Sequence, residues 1–383
     1  MQLTILMPCL NEVETIGTCV QKALHSLTEL GLSGEVLVAD NGSTDGSLQI
    51  AENLGARVVR VAQKGYGNAL RGGIEAAHGE WIIMGDADDS YDFSQLGPFV
   101  QKFKQGYELI MGCRMPRGGG NILPGAMPWK NRRIGNPALS IVGRLFFGSA
   151  VTDFHCGLRG FTRGAYQKMK LRTSGMEFAS EMVIKATLQQ IKIIEVPITL
   201  HKDGRSRPPH LRPWRDGWRH LRFMLLFSPR WLFLYPGLML MLLGFGIVVL
   251  LLPAPRHLGP VTFDVHTLLH AAMAVLVGFQ AVLFAVFTKV FTIAEGLLPP
   301  DPRMDRMFKV ITLETGLAAG AILVLIGIGG VSAAIYGWQR TSFGPLDPQH
   351  TLRTAIPALL ALVLGCQTIF ASFFLSVLGM KRR

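Results

Sequence analysis

The chain has few cysteines, and those it has are widely separated. Cys9, Cys19, Cys113, Cys156 and Cys366 show no paired spacing of the zinc-binding or redox-active kind. A disulfide framework, a zinc site and a dithiol catalyst are therefore not expected. We interpret the five thiols as small apolar side chains in a reducing compartment.

Three further absences exclude other classes of protein. The first residues, MQLTILMPCL, lack a basic start and a small-residue cleavage site, so we expect a first β-strand there and no signal peptide. The net charge of +12 suits an anionic ligand or a membrane surface, but no nucleic-acid recognition motif accompanies it, so nucleic acid is not an expected partner. The long apolar runs carry no Lys, Arg, Asp or Glu near their centres, which argues against an ion-coupled transporter.

Four long apolar runs follow residue 230, at about 231–252, 268–287, 317–336 and 355–380. Each is near the ~20 residues that cross the core of a bilayer, so we predict a transmembrane domain of four helices at 231–383. Lys and Arg concentrate before the first run, between the second and third, and in the final KRR. This distribution predicts a multi-pass protein of the plasma (inner) membrane with both termini and the N-terminal domain on the cytoplasmic side.

The four runs contain an internal sequence repeat. LMLLGFGIVV in the first resembles LVLIGIGGVS in the third, and Gln280 in the second corresponds to Gln367 in the fourth. This similarity predicts a duplicated helical hairpin. Runs of small residues such as GIGGVSAA favour close helix packing or a homo-oligomer.

Short apolar runs alternate with helical periodicity over residues 1–210. LTILMP, GEVLVAD and GEWIIMGD have strand length and end in turn-forming or acidic residues. The alternation predicts an α/β domain with a mostly parallel sheet, in which ligands bind beyond the carboxyl ends of the strands. For NGSTDG, after the second run, an ordinary turn is an equally good interpretation.

The segment GDADDSYD places four carboxylates within seven residues of a basic chain. Such a group repels itself unless a cation compensates, and Mg²⁺ is held in proteins by one or two carboxylates together with water and substrate phosphates. We therefore predict that Asp86 and Asp88 bind Mg²⁺ or Mn²⁺, which in turn binds a diphosphate. An EF-hand is disfavoured, because the segment lacks the glycine and glutamate at that loop's sixth and twelfth positions.

Residues 211–230 are predicted to form an amphipathic helix at the membrane interface. Arginines repeat along one stripe of this helix, and Trp214 and Trp218 lie on another stripe. Arginine near anionic lipid and tryptophan at headgroup depth are typical of such helices, so membrane lipid is an expected partner. The alternative is a solvated helix packed on its own domain.

Taken together, PCLNE, DNGSTDG, KGYGNALRGG, GDADDS, MGCR and GLRGF resemble the family 2 glycosyltransferases of the GT-A fold. Within that family, the order and separations of these motifs over residues 1–230 most resemble the polyprenyl-phosphate sugar transferases. The resemblance implies a metal-dependent, inverting transfer of a sugar from a nucleotide sugar to a polyprenyl (undecaprenyl) phosphate. Family habit favours a UDP-sugar, with a GDP-sugar as the alternative.

The resemblance also assigns roles to residues of this chain. It implies metal binding by Asp86, Asp88 and Ser90, and catalytic roles for Asp88, Arg114, Asp153 and Arg207. It implies nucleotide-sugar binding by Pro8, Leu10, Glu12, Val38, Asp40, Asp86, Ala87, Arg114, His201, Lys202 and Arg205. The late segment HKDGRSR departs from the family pattern, because His201 stands in place of an arginine and Arg207 in place of a lysine; Lys202 or Arg205 could supply the missing charge.

Two other functions remain open from the sequence. A sugar hydroxyl as acceptor would need a general base, for which Asp153 is the candidate, although Asp153 could instead cap a turn or pair with Arg159. The sequence lacks the long channel-forming helices and the QxxRW-type motif of processive synthases, which disfavours a hydroxyl acceptor. A non-catalytic translocation or scaffold protein is disfavoured by the intact acidic motif.

Overall fold

The computed structural model describes residues 1–206 and 213–379, which divide into two compact units, Met1–Met224 and Leu225–Arg383. Arg207, predicted to be catalytic, and Met380, the predicted end of the last apolar run, lie outside the described residues. The first unit extends beyond the predicted domain limit at residue 210. The reason is that His220, in the next helix, is buried and hydrogen-bonds Ser180 of the same unit.

The first unit is built on a seven-stranded sheet in the order β3-β2-β1-β4-β7-β5-β8. These strands are β1 (Leu3–Cys9), β2 (Gly34–Asp40), β3 (Arg57–Arg60), β4 (Trp81–Met84), β5 (Leu109–Cys113), β7 (Arg159–Thr162) and β8 (Ile193–Pro197). Two short strands, β6 (Asn121–Ile122) and β9 (Thr199–Leu200), pair in parallel beside it. The predicted α/β class with a mostly parallel sheet is confirmed.

Eight helices connect or follow these strands in the described part of the first unit. They are α1 (Ile16–Glu29), α2 (Ser47–Asn53), α3 (Tyr66–Ala76), α4 (Gly97–Lys104), α5 (Asn136–Phe147), α6 (Arg163–Met169), α7 (Phe178–Leu188) and α8 (Pro213–Leu226). Shorter turns of helix lie at Pro116–Gly118 and Asn131–Gly135. Helix α8 covers most of the segment predicted as an interfacial helix at 211–230.

The buried central strands explain why their sequences are continuous apolar runs. Strand β1 lies between β2 and β4, parallel to both, and a strand covered on both faces has little room for polar side chains. Cys9 pairs with Asp40 and Leu6 with Met84. The carboxyl ends of the three strands therefore meet at one edge of the sheet.

Strand β7 is the one element of the sheet that runs against the rest. It is antiparallel to both β4 and β5, and all the other pairs in this sheet are parallel. The side chain of Arg159, the first residue of β7, is fully buried and donates hydrogen bonds to the carbonyls of Phe154, Cys156 and Ala179. Arg159 thereby fixes the loop that precedes β7, next to the end of β4.

The second unit contains four helices that are long and apolar enough to cross a membrane. They are Arg230–Leu251, which ends as α9 (Tyr235–Leu251) after a π-helical turn at Arg230–Leu234, α10 (Val265–Ala294), α12 (Leu313–Arg340) and α13 (Pro348–Gly379). A hairpin of β10 (Arg256–Leu258) and β11 (Val261–Phe263) and the short helix α11 (Pro302–Val310) lie between them. The last three are longer than the predicted apolar runs, because the helices continue into polar sequence beyond the hydrophobic stretch.

Glycines bring the helices together in both halves of the second unit. An added Cβ at Gly237 of α9 would lie 2.8 Å from the carbonyl oxygen of Gly278 in α10, and one at Gly320 of α12 would lie 2.9 Å from that of Gly365 in α13. Small residues allow such close backbone contact. The same glycine pairing in both hairpins agrees with the predicted duplication.

We expect Gly365→Val to weaken the packing of α12 on α13. An added Cβ there would lie 2.7 Å from both the carbonyl oxygen of Gly320 and the nitrogen of Val324, and overpacking of this kind costs about 1–3 kcal/mol. The measurement is thermal unfolding of the purified protein in detergent. Gly329→Val is the matched control, because an added Cβ there meets nothing within 4 Å; an equal loss of stability in both variants would contradict the glycine contact.

Candidate active site

A cavity of about 660 Å³ opens in the first unit at the sheet edge where β1 and β4 end. Its lining contains seven of the residues predicted from the sequence: Pro8, Leu10, Glu12, Asp86, Ala87, Asp88 and Arg205. The lining also contains residues that the sequence did not assign to a site, among them Asn41, Lys64, Tyr66, Met176, Arg215, Asp216 and Arg219. The cavity is the size of a small-molecule site and lies where open α/β sheets bind ligands.

The acidic loop after β4 presents two carboxylates to this cavity. Asp88 accepts hydrogen bonds from the backbone nitrogen (3.1 Å) and hydroxyl (2.6 Å) of Ser90, so Ser90 orients Asp88. Asp89 adopts a left-handed backbone with φ of 59° and pairs with Lys22 at 2.7 Å. This turn directs neighbouring acids to different partners and leaves Asp86 and Asp88 together.

Asp86 forms a hydrogen bond with the first residue of α3. Its Oδ1 accepts a hydrogen bond of 2.9 Å from the hydroxyl of Tyr66. Burial, followed by the nearby charge of Asp88, raises the pKa of Asp86 to about 6. A carboxyl with such a pKa gains from a nearby cation, because a positive charge favours its ionised form.

Arg205 supplies a positive charge to these carboxylates. Its guanidinium donates to Asp88 Oδ2 at 2.6 Å and to Glu12 Oε1 at 3.2 Å. The segment that carries it is tied to the acidic loop, because the backbone nitrogens of His201 and Gly204 donate to the carbonyls of Ser90 and Asp88, both at 3.0 Å. A cation therefore already lies against Asp88.

These carboxylates fit a divalent metal that completes its shell with substrate. Among residues 1–206 and 213–379, no group of three or more His, Cys, Asp or Glu side chains is arranged to hold a metal. Magnesium and manganese sites that use substrate phosphates need only one or two carboxylates from the protein. Asp86 and Asp88 provide these two carboxylates, and the guanidinium of Arg205 contacts Asp88.

The loop before α3 forms another part of the cavity wall. Gly65 has φ of 128°, its backbone nitrogen donates to Asn41 Oδ1 at 2.8 Å, and an added Cβ would lie 2.3 Å from the carbonyl oxygen of Ser174. A residue with a side chain would therefore be strained and would clash there. The loop presents Lys64 and Tyr66 to the cavity.

Arg114 and Asp153 form a buried ion pair and do not line the cavity. Arg114 donates from Nε and from an η nitrogen to the two carboxylate oxygens, both at 2.8 Å, and its backbone nitrogen donates at 3.0 Å. Asp153 has no exposed surface. Burial alone would raise the pKa of Asp153, but the adjacent Arg114 outweighs burial and lowers it. The partner of Asp153 is thus Arg114, and the pairing with Arg159 considered from the sequence is wrong.

Glu195 of β8 supports this pair from the other side. Its carboxylate accepts hydrogen bonds from the backbone nitrogens of Thr152 and Asp153, both at 2.9 Å, and from the Thr152 hydroxyl at 2.7 Å. The loop that follows runs beneath the acidic motif, because an added Cβ at Gly157 would lie 2.6 Å from Asp86 Oδ2. The pair therefore fixes the floor below Asp86.

The other predicted site residues lie outside the cavity lining. Val38 is fully buried within β2, and Asp40 accepts a hydrogen bond of 2.8 Å from the backbone nitrogen of Ser43. His201 and Lys202 are on the segment that carries Arg205, but neither lines the cavity. Their roles stay predictions.

Helix α8 brings two arginines to the cavity. Arg215 and Arg219 line it, while Asp216, between them in sequence, is buried. His220 anchors the helix, because its Nδ1 lies 2.8 Å from the Ser180 hydroxyl, which is 3.4 Å from His155 Nε2. The spacing of these arginines in the sequence predicts contact with anionic lipid, whereas the structure places Arg215 and Arg219 in the lining of the cavity.

We expect the buried imidazole of His220 to make the first unit less stable in mild acid. Burial lowers the pKa of His220 to about 4, and the neighbouring charges oppose one another, since Asp216 raises the pKa and Arg159 lowers it. As the pH falls from about 6.5 to 4, the unfolded chain binds a proton that the folded chain does not. Stability therefore falls by up to about 1.4 kcal/mol per pH unit for this group. His155, in contact with His220, also has a pKa lowered by burial and adds to the effect.

The measurement is the unfolding temperature between pH 7 and pH 4.5. His220→Gln should show a smaller loss of stability with falling pH than the wild type. His25→Gln is the control, because His25 is exposed and its ion-pair partner within the described part of the chain is the exposed Glu29. Equal pH dependence in wild type and His220→Gln would contradict the role of His220.

Two family descriptions cover most of the chain. Residues 4–169 match "Glycosyl transferase family 2", and residues 286–379 match "Glycosyltransferase family 2 C-terminal transmembrane region". The low-salt glycan biosynthesis hexosyltransferase Agl6 of Haloferax volcanii is 36% identical over 98% of this chain and 89% of its own length. This chain belongs to glycosyltransferase family 2.

Other relatives match a shorter part of the chain. The dolichyl-phosphate hexose transferase of Haloferax volcanii is 27% identical over 56% of this chain and 89% of its own length. Among solved structures, glucosyl-3-phosphoglycerate synthase from Mycobacterium tuberculosis, in complex with Mn²⁺ and UDP-glucose, is 21% identical, with a TM-score of 0.46 over 59% of this chain and 78% of that one.

Family membership and the four apolar helices describe a membrane-bound glycosyltransferase. The prediction of a GT-A-type α/β domain followed by a transmembrane region is confirmed.

Proposed function

We propose that this family 2 glycosyltransferase moves a hexose from a nucleotide sugar to the phosphate of a polyprenyl phosphate. The reaction takes place at the cytoplasmic face of the cell membrane. The observation that carries this proposal is the composition of the cavity: two adjacent carboxylates, a guanidinium against one of them, and two further arginines from α8. The name of the 27% identical relative, a dolichyl-phosphate hexose transferase, supports the same acceptor class.

In this proposal the acidic loop binds the diphosphate of the donor through a divalent metal, Mg²⁺ or Mn²⁺. Asp86 and Asp88 hold the metal, and Ser90 keeps Asp88 in position. When bound, the metal neutralises the charge that develops on the leaving nucleoside diphosphate. Arg205, already at the mouth of this site, adds a second positive charge for the same leaving group.

The acceptor needs positioning more than activation. The second pKa of a phosphate monoester is near ~6, so its oxygen is largely ionised at pH 7 and needs no general base. A single displacement at the anomeric carbon forms the bond from carbon to the phosphate oxygen while the bond to the nucleoside diphosphate breaks. Such a displacement inverts the anomeric centre.

The buried pair of Arg114 and Asp153 fits this acceptor better than a sugar hydroxyl. A hydroxyl acceptor would need Asp153 as a base, but both of its carboxylate oxygens are occupied by Arg114. In the proposal the pair fixes the floor of the site and takes no proton. A UDP-sugar is the favoured donor.

The test is nucleotide release by the full-length protein in detergent. The assay compares UDP- and GDP-sugars, with and without undecaprenyl or dolichyl phosphate, in Mg²⁺, in Mn²⁺ or in EDTA. We expect release that requires both a polyprenyl phosphate and a divalent metal. Metal-dependent release that responds to a sugar hydroxyl, and not to polyprenyl phosphate, would contradict the proposed acceptor.

A further inference from the structure

The faces of helix α8 have three distinct compositions. Buried side chains, Asp216, His220, Phe223 and Met224, form one face. Since successive residues of an α-helix are turned by about 100°, Arg215 and Arg219 lie on the next face around the helix. Trp214 and Trp218 lie on the face beyond, with exposures of 88% and 57%. The arginines therefore separate the packed face of the helix from an exposed aromatic face.

The arginine face belongs to the candidate active site. Both guanidinium-bearing residues line the same cavity as Asp86 and Asp88. The helix is held in place there, because His220 and Asp216 on its packed face are buried and His220 bonds Ser180. The two arginines are thus presented to the cavity by an anchored helix.

The charges on this helix favour an anion. Arg215 and Arg219 each lie 3.7 Å from the same oxygen of Asp216, beyond hydrogen-bond distance. Among the described residues, two positive charges thus lie beside this one negative charge. By contrast, the positive charge of Arg205 is already matched by Asp88 and Glu12.

We propose that Arg215 and Arg219 bind the phosphate of the acceptor, with its apolar chain passing along the face of Trp214 and Trp218. This inference rests on the proposed function and names the residues that recognise its second substrate. Paired guanidinium groups suit a phosphate monoester, which carries about −1.5 to −2 charges and three acceptor oxygens. The neighbouring aromatic face explains why the bound phosphate belongs to a lipid and not to a soluble anion, since Trp is typical of positions beside apolar chains.

The test measures donor and acceptor separately in the full-length protein. Arg215→Gln/Arg219→Gln is compared with Arg222→Gln, which changes an exposed arginine of the same helix that does not line the cavity. The assay uses neutral detergent without anionic lipid, and the acceptors are undecaprenyl phosphate and a short-chain isoprenyl phosphate. Binding of the free nucleoside diphosphate with metal reports on the donor site and on folding.

We expect the double variant to raise KM for both acceptors at least tenfold, with donor affinity changed less than twofold. Arg222→Gln should keep both values within about twofold of the wild type. An unchanged acceptor KM in the double variant overturns the inference, because the arginines would then serve only the membrane surface. An equal loss of donor affinity overturns it as well, since the arginines would then hold the donor diphosphate.

The same experiment separates this inference from the proposed function. If the wild type transfers sugar to polyprenyl phosphate but the double variant behaves like it, only the assignment of Arg215 and Arg219 fails. If the wild type transfers to neither polyprenyl phosphate, the proposed function fails and the inference with it.

Discussion

Asp88→Ala should lower the rate of sugar transfer on the order of a thousandfold, because in the proposed mechanism it removes a ligand of the metal that would neutralise the leaving diphosphate. Asp88 lines the cavity, and its carboxylate is oriented by Ser90 and contacted by Arg205. The substitution should also abolish the dependence of nucleoside diphosphate binding on Mg²⁺ or Mn²⁺. Steady-state kinetics and calorimetric titration, each with metal and with EDTA, measure the two effects.

Asp89→Asn is the matched control for Asp88→Ala. Asp89 is the next residue in the chain, but its carboxylate pairs with Lys22 and does not line the cavity. We expect this variant to keep activity within about threefold of the wild type, since exposed or half-exposed ion pairs contribute little. Transfer by Asp88→Ala at near wild-type rate would rule out the metal site, and equal damage by both variants would point to the loop's structure instead.

Asp153→Ala should destabilise the first unit by about 3–5 kcal/mol, because it leaves Arg114 buried without its partner. For a unit of this size that corresponds to a fall in unfolding temperature of roughly 6–20 °C. The double variant Arg114→Met/Asp153→Leu should recover much of this loss, since apolar side chains of similar volume can replace a buried ion pair. Thermal unfolding of the single and double variants is the measurement.

A more exposed ion pair gives the comparison for this prediction. Lys168 pairs with Glu108 at 2.9 Å with 61% of its side chain exposed, so Lys168→Gln should cost less than about 1 kcal/mol. An unfolding temperature of Asp153→Ala equal to that of the wild type would contradict the contribution of the buried pair to stability.

The sheet and the membrane helices could be predicted because their signals are local. Continuous apolar runs mark β1, β2 and β4, which are buried within the sheet, and a run near 20 apolar residues marks each span. The acids of GDADDS follow one of these strands directly, so their place at the sheet edge also followed from the sequence. The antiparallel direction of β7 did not, since a strand of four residues carries no signal of its direction.

The partners within the site could not be predicted, because they are distant in the chain. Arg114 and Asp153 are separated by 39 positions, and Arg205 reaches Glu12 across 193. Arg159 is nearer to Asp153 in the sequence, but its guanidinium donates hydrogen bonds to backbone carbonyls instead. Such pairings depend on how strands and loops are stacked, which residue spacing does not encode.

The arginines of α8 show a different limit of sequence reasoning. A stripe of arginines beside a stripe of tryptophans indicates which residues share a face of the helix. It does not indicate what that face contacts, because anionic lipid and an anionic substrate select the same side chains. For Arg215 and Arg219, the structure shows that this face lines the cavity.

Mass spectrometry of the lipid product shows directly whether the hexose is transferred to polyprenyl phosphate. The purified protein is incubated with a UDP-sugar panel, a divalent metal and undecaprenyl phosphate, and the lipid fraction is analysed before and after mild acid. We expect a product heavier than the acceptor by one hexose residue, with the sugar joined through phosphate, so that mild acid hydrolyses the glycosyl phosphate bond and releases the free hexose. A lipid fraction without that product, alongside a hexose attached to a hydroxyl acceptor, would contradict it.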